Sequence, residues 1–98
     1  MERRRKLTII TESAIEGLLT DQLERLGAKG YTIVEARGKG ARGVRTGDWD
    51  QNMNVQIDII CDESTAHRIV TYCSEHYYKN YAMILYLSDV DVIRPEKF

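Results

Sequence analysis

The stretch Asn54-Val55-Gln56-Ile57-Asp58-Ile59-Ile60-Cys61 alternates with a period of two. Val55, Ile57, Ile59 and Cys61 fall on one face, and Asn54, Gln56, Asp58 and Ile60 on the other. That is a strand with one face against a core. Directly after it the period changes. Ala66, Ile69, Val70, Cys73 and Tyr77 recur at helical spacing, which predicts a helix that starts at Asp62 or Ser64 and ends at Asn80 or Tyr81. The same pair of signals occurs upstream. Residues 7–12 read as a strand, Ser13 and Glu16 are spaced for a capping box, and Ile15, Leu18, Leu19, Leu23 and Leu26 form a one-sided stripe that Gly27 ends. Residues 31–36 and 82–93 supply two more strands, the last stopped by Pro95.

The resulting order is βαββαβ, an α+β arrangement. It predicts a four-stranded antiparallel sheet with two helices on one face, the ferredoxin-like sandwich, as a single domain over residues 1–98. With 43% apolar and 30% charged residues, the chain has the composition of a folded domain rather than a disordered one. Two helices leave the second sheet face bare. Yet the last strand is apolar on both sides: Met83, Leu85 and Leu87 on one, Ala82, Ile84 and Tyr86 on the other. Ile10 and Ile60 also point away from their strands' main stripes. An apolar face of that size predicts an oligomer that buries it.

Fourteen Lys and Arg against fifteen Asp and Glu give a net charge of −1, which argues against a dedicated DNA-binding protein. The total hides a local surplus. Arg37-Gly38-Lys39-Gly40-Ala41-Arg42-Gly43-Val44-Arg45 has four cations, three glycines and no acid, and it opens a loop over residues 37–52. Glycines let backbone N–H groups approach an anion, and arginine forks bind phosphate oxygens in pairs. No GKS or GKT follows, and no helix follows, so this is neither a Walker A motif nor a dinucleotide fingerprint. From composition alone, a phosphate-binding loop and a solvated basic loop both stand. Trp49, in the same loop, reads either as a partner anchor or as a lid on the loop's own base.

Other candidates are weaker. The basic start, Glu2-Arg3-Arg4-Arg5-Lys6, reads as a solvated tail, and the apolar stretch behind it is too short for a signal-peptide core. Cys61 and Cys73 read as buried reduced thiols, consistent with a cytosolic protein. His67 and His76, nine residues apart on one helix, do not share a face for a metal. Tyr77 belongs to the core stripe, and Tyr81 and Tyr86 flank the last strand as interface or pocket wall. Asp89 and Asp91 read as a solvated strand end. No nucleophile–histidine set is present, so catalysis is poorly supported.

This combination resembles the PII and PII-like signalling proteins. The likeness rests on the βαββαβ order, the long second-to-third-strand loop with its glycine-rich basic opening, the run from Gly27 through Gly30, Tyr31 and Thr32, and Asn80-Tyr81-Ala82 before the last strand. It is most similar to the SbtB-type branch, which includes carboxysome-associated PII proteins. The resemblance implies a cytoplasmic homotrimer with nucleotide sites between subunits and a flexible T-loop, residues 37–52, that meets partners. It implies that Gly38, Lys39 and Gly40 lie at the loop start near the ligand, that Arg42 and Arg45 contact phosphate, and that Tyr81, Ala82, Met83 and Ile84 line the adenine from the neighbouring subunit. The implied ligands are AMP, ADP or cAMP, with bicarbonate as a further candidate at Arg42 and Arg45. The implied partner is a membrane bicarbonate transporter, which would recruit the protein to the inner membrane, or a carboxysome-related protein. No cofactor, metal or nucleic acid is implied.

The chain departs from the best-known PII proteins in two ways, and from some members of the SbtB-type branch, which carry a redox-active cysteine tail, in a third. Residues 75–81 contain no glycine where those proteins carry a Thr-Gly-x-x-Gly-Asp-Gly-Lys phosphate loop, so magnesium-ATP and 2-oxoglutarate binding in their manner is not expected. Residues 37–52 contain no tyrosine for modification, and no cysteine follows Cys73. Two rival functions share the fold. One is a hydrolase of ATP, ADP or an acyl phosphate. The other is an RNA-binding sheet, which needs exposed aromatics on the central strands, and residues 7–12 and 54–61 have none.

Overall fold

The computed structural model describes residues 1–38 and 53–98. Four strands and two helices follow in the expected order: β1 (Glu2–Glu12), α1 (Glu16–Arg25), β2 (Thr32–Ala36), β3 (Asn54–Cys61), α2 (Glu63–His76) and β4 (Met83–Val92). Single 3-10 turns occupy Ser13–Ile15 and Pro95–Lys97. The sheet order is β2-β3-β1-β4 with every neighbouring pair antiparallel. This is the ferredoxin-like fold.

The core lies between the helices and one sheet face. Leu7 and Ile9 of β1 and Val55, Ile57 and Ile59 of β3 meet Leu19 and Leu23 of α1 and Ala66, Ile69 and Cys73 of α2. The period-two alternation of β3 is borne out in full, its residues running intermediate and buried by turns. Each fully buried Leu or Ile contributes about 1.5–3 kcal/mol. Gly27 ends α1 as expected, at φ 111°, and a Cβ there would meet the Arg68 guanidinium at 2.7 Å. Arg68 Nε donates to the Leu26 carbonyl at 3.0 Å, so α2 caps the last turn of α1.

Several expectations fail for identifiable reasons. The basic start is not a solvated tail: β1 begins at Glu2, and its arginines lie opposite acids on β4. Arg3 pairs with Asp91 at 3.0 Å, and Arg5 bridges Asp89 and Glu63. Opposite charges across neighbouring strands stabilise the pairing and extend it. Asp89 and Asp91 stay exposed near the end of β4, in keeping with a solvated strand end, and these contacts give them partners. Hydrogen bonds to these carboxylates raise the pKa of both guanidinium groups. The Ser13–Glu16 capping box does not form. Ser13 enters a 3-10 turn, and its backbone N–H donates to the Met53 carbonyl at 2.8 Å.

Leu18, counted in the α1 stripe, is 61% exposed, because it lies about 100° round the helix from Leu19, away from the face that Leu19 and Leu23 bury. Helix α2 starts at Glu63 with Asp62 as its cap, whose carboxylate accepts from the Thr65 N–H at 2.9 Å. That bond also holds the Asp62 pKa below its ordinary value. The helix ends at His76, short of Asn80, where successive turns take over. Strands β2 and β4 are each shorter than their expected spans.

The sheet face away from the helices carries Ile10, Ile60, Val34, Ile84 and Tyr86. No element of the described residues covers it, and Ile84 and Tyr86 are about half exposed, at 52% and 50%. At its centre lies a polar knot. Thr8 Oγ1 donates to Asp58 at 2.7 Å, and Gln56 donates to the same carboxylate at 3.2 Å.

Candidate functional site

The end of the sheet where β1 stops and β4 starts holds most of the described site residues. The chain leaves α2 through turns in which Tyr81 N–H donates to the Tyr77 carbonyl at 3.0 Å. The Tyr81 ring packs edge-on against Tyr77, with ring centres 6.0 Å apart. Ala82 is then held from both sides of its backbone. Its N–H donates to Glu12 Oε2 at 2.7 Å, and its carbonyl accepts from Thr11 Oγ1 at 2.9 Å. Past this point the side chains divide. Met83 packs against the helix-side core, whereas Ile84 stands on the open sheet face.

Glu12 and Thr11 were not singled out by the sequence reading. A Thr-Glu pair at a strand end carries no signal by itself, and their partner lies about seventy residues downstream in the chain.

Gly38 follows β2, which ends at this same end of the sheet. Ala36 faces Asn54, Asn54 faces Glu12, and Thr11 faces Met83. Gly38 is exposed, and nothing lies within 4 Å of where its Cβ would be. Strands β2 and β4 are, however, the two opposite edges of the sheet. With β3 and β1 between them, they are separated by about 14 Å at ordinary strand spacing. Within one chain, therefore, Gly38 and the segment 81–84 do not form one wall. Lys39, Gly40, Arg42, Arg45 and Trp49 lie outside the described residues, as does most of the proposed loop 37–52.

The remaining titratable groups have local explanations. His76 stacks on Tyr72 with ring centres 3.9 Å apart, and its Nδ1 lies 3.0 Å from the Tyr72 carbonyl. Burial pushes the Cys61 and Cys73 thiols up to about 11. Burial also raises the Tyr77 hydroxyl. Among the described residues no cluster of His, Cys, Asp or Glu is arranged to hold a metal. Nor is any helix among them long and apolar enough to cross a membrane.

A family model, described as nitrogen regulatory protein P-II, matches residues 4–97. The chain belongs to the PII family. This PII protein is 42% identical to a PII-like signalling protein from Thermus thermophilus. The match covers 99% of this chain and 96% of that one, with a TM-score of 0.84. It is 31% identical to CPII from Thiomonas intermedia, over 98% of this chain and 94% of that one, with a TM-score of 0.83. That CPII structure is bound to ADP and bicarbonate. A second CPII structure, 28% identical with a TM-score of 0.81, is bound to ADP, AMP and bicarbonate and covers 98% and 93% of the two chains. The resemblance read from the sequence is thus correct at the level of the family.

Proposed function

We propose that this PII protein is a non-enzymatic regulator that assembles as a homotrimer and senses AMP, ADP or cAMP together with bicarbonate. Its 98 residues act as one regulatory domain. In this reading Gly38, Lys39, Gly40, Arg42 and Arg45 hold phosphate, while Tyr81, Ala82, Met83 and Ile84 of a neighbouring subunit line the adenine. Residues 37–52 form the loop that the nucleotide orders, and the ordered loop selects a partner. Bicarbonate is a planar anion, and a guanidinium of Arg42 or Arg45 can grip it through two parallel hydrogen bonds.

The observation that carries this reading is the likeness, over nearly the whole chain, to CPII bound to ADP and bicarbonate. The separation of about 14 Å between the sheet edges also supports a site built from two chains, since a single chain keeps Gly38 and 81–84 on opposite edges. We place the protein in the cytoplasm. Its partner would be a membrane bicarbonate transporter, which draws it to the inner membrane, or a carboxysome component.

Calorimetry with AMP, ADP, ATP and cAMP, each with and without bicarbonate, tests the proposal. The expected result is that ADP, AMP or cAMP binds more tightly than magnesium-ATP, because residues 75–81 lack a glycine loop for a longer polyphosphate. Bicarbonate tightens the nucleotide, and the nucleotide tightens bicarbonate by the same factor. Absence of nucleotide binding refutes the reading. Equal ADP affinity with and without bicarbonate removes the bicarbonate half of it.

A further inference from the structure

We infer that Glu12 is a positioning residue for the adenine-facing segment: its carboxylate latches the Ala82 backbone and sets where β4 presents itself to the nucleotide base. The inference rests on the proposed placement of adenine against residues 81–84.

Between α2 and β4 the chain passes through four residues of turn with no ladder to fix it. Ala82, the residue before β4, has both backbone groups tied, and both ties are side chains of β1. Glu12 Oε2 accepts the Ala82 N–H at 2.7 Å, and Thr11 Oγ1 donates to the Ala82 carbonyl at 2.9 Å. Thr11 is buried and Glu12 half-buried, so these bonds are shielded from competing water. A carboxylate accepting a backbone N–H is a charge-assisted bond, short and strong.

The latch also has a rigid base. Glu12 is the last residue of β1, paired with Asn54, and the next residue, Ser13, is tied through its N–H to the Met53 carbonyl. The Glu12 side chain thus reaches from a backbone fixed against β3 on one side to the β4 segment on the other. In consequence the Ala82 N–H and carbonyl already have partners within their own chain. The N–H is thereby closed to the base while the carbonyl keeps a second lone pair, and Glu12 determines where the segment stands.

The test compares Glu12→Ala and Glu12→Gln with the wild type, using ADP, GDP and inorganic pyrophosphate in calorimetry. Pyrophosphate reports on the phosphate end alone. The amide oxygen of Glu12→Gln keeps an acceptor for the Ala82 N–H. The expected result is that Glu12→Ala weakens ADP by about tenfold, the loss of one charge-assisted bond. Its preference for ADP over GDP falls, and its pyrophosphate affinity and assembly state do not change. Glu12→Gln recovers most of that loss, because its amide oxygen still accepts the Ala82 N–H, though without the charge.

Wild-type ADP affinity in Glu12→Ala overturns the inference while leaving the proposed function intact. A parallel loss of ADP and pyrophosphate binding, or no rescue by Glu12→Gln, overturns it in favour of a general structural role. A wild-type protein that binds no ADP refutes the proposed function, and this inference with it. Should Glu12→Ala fail to fold, Thr11→Val decides the question. It removes the second tie to Ala82 with little change of volume, and it must lower ADP affinity without altering that for pyrophosphate.

Discussion

Tyr86→Asp should break the assembly while leaving the protomer folded. Tyr86 lies opposite Thr8 on the sheet face that no described element covers, and it is 50% exposed in the isolated chain. A tyrosine buries on the order of 200 Å² when enclosed, so about 100 Å² per protomer is still available to an interface. At roughly 25 cal/mol per Å² this amounts to about 2.5 kcal/mol per copy, and about 7 kcal/mol for the trimer. That is about five powers of ten in the association constant. Three chains must meet, so the association constant varies as the inverse square of the midpoint concentration, which moves by about two and a half orders of magnitude. Three buried carboxylates would widen the gap. Within one protomer the side chain is outside the core, and the change costs about 1 kcal/mol through lower strand propensity. Sedimentation over a range of concentrations, with circular dichroism as the folding control, measures both. A Tyr86→Asp protein that remains a trimer down to the same concentration as the wild type refutes the assignment of this face to assembly.

Replacing Arg42 and Arg45 together with Ala should weaken ADP by more than tenfold, since each charged hydrogen bond contributes about 1.5–3 kcal/mol, and leave the trimer intact. Unchanged affinity in calorimetry would mean the phosphate site is elsewhere. Cys61 and Cys73, pushed by burial from 9.0 up to about 11, should resist a thiol reagent at pH 8 in the native protein and react once denatured. Raised folded pKa values mean that the unfolded chain loses these protons first, so stability should fall from about pH 9 to pH 11. A flat urea midpoint across that range contradicts it. Gly27→Ala should cost about 1 kcal/mol or more, because φ is 111° and the new Cβ meets Arg68. An unaltered urea midpoint would show that the turn relaxes freely.

What the sequence made legible was whatever depends on neighbours in the chain. The alternation of residues 54–61 fixes the face of each side chain, and β3 follows it residue by residue. Ala66, Ile69 and Cys73 announce the buried side of α2 in the same way. What it concealed depends on partners distant in sequence. A run of arginines reads as solvated until Asp89 and Asp91 are set across from it, more than eighty residues away. Ser13 has the right chemistry for a cap, but the Met53 carbonyl claims its N–H first and turns the chain into a 3-10 path. The candidate site divides along the same line. Its basic glycine-rich half was visible as a motif. Its Glu12–Ala82 latch exists only because β1 and β4 are neighbours, and no local pattern records that.

The pairing of Glu2 with Val92 brings the start of β1 and the end of β4 side by side. They meet at the far end of the longest strands, ten residues of β1 from Glu12, or about 33 Å. A fluorophore attached to an exposed side chain there, such as Arg3 or Asp91, is therefore remote from residues 81–84 of its own protomer. A label meant to report on that segment has to be placed at the other end of the same two strands.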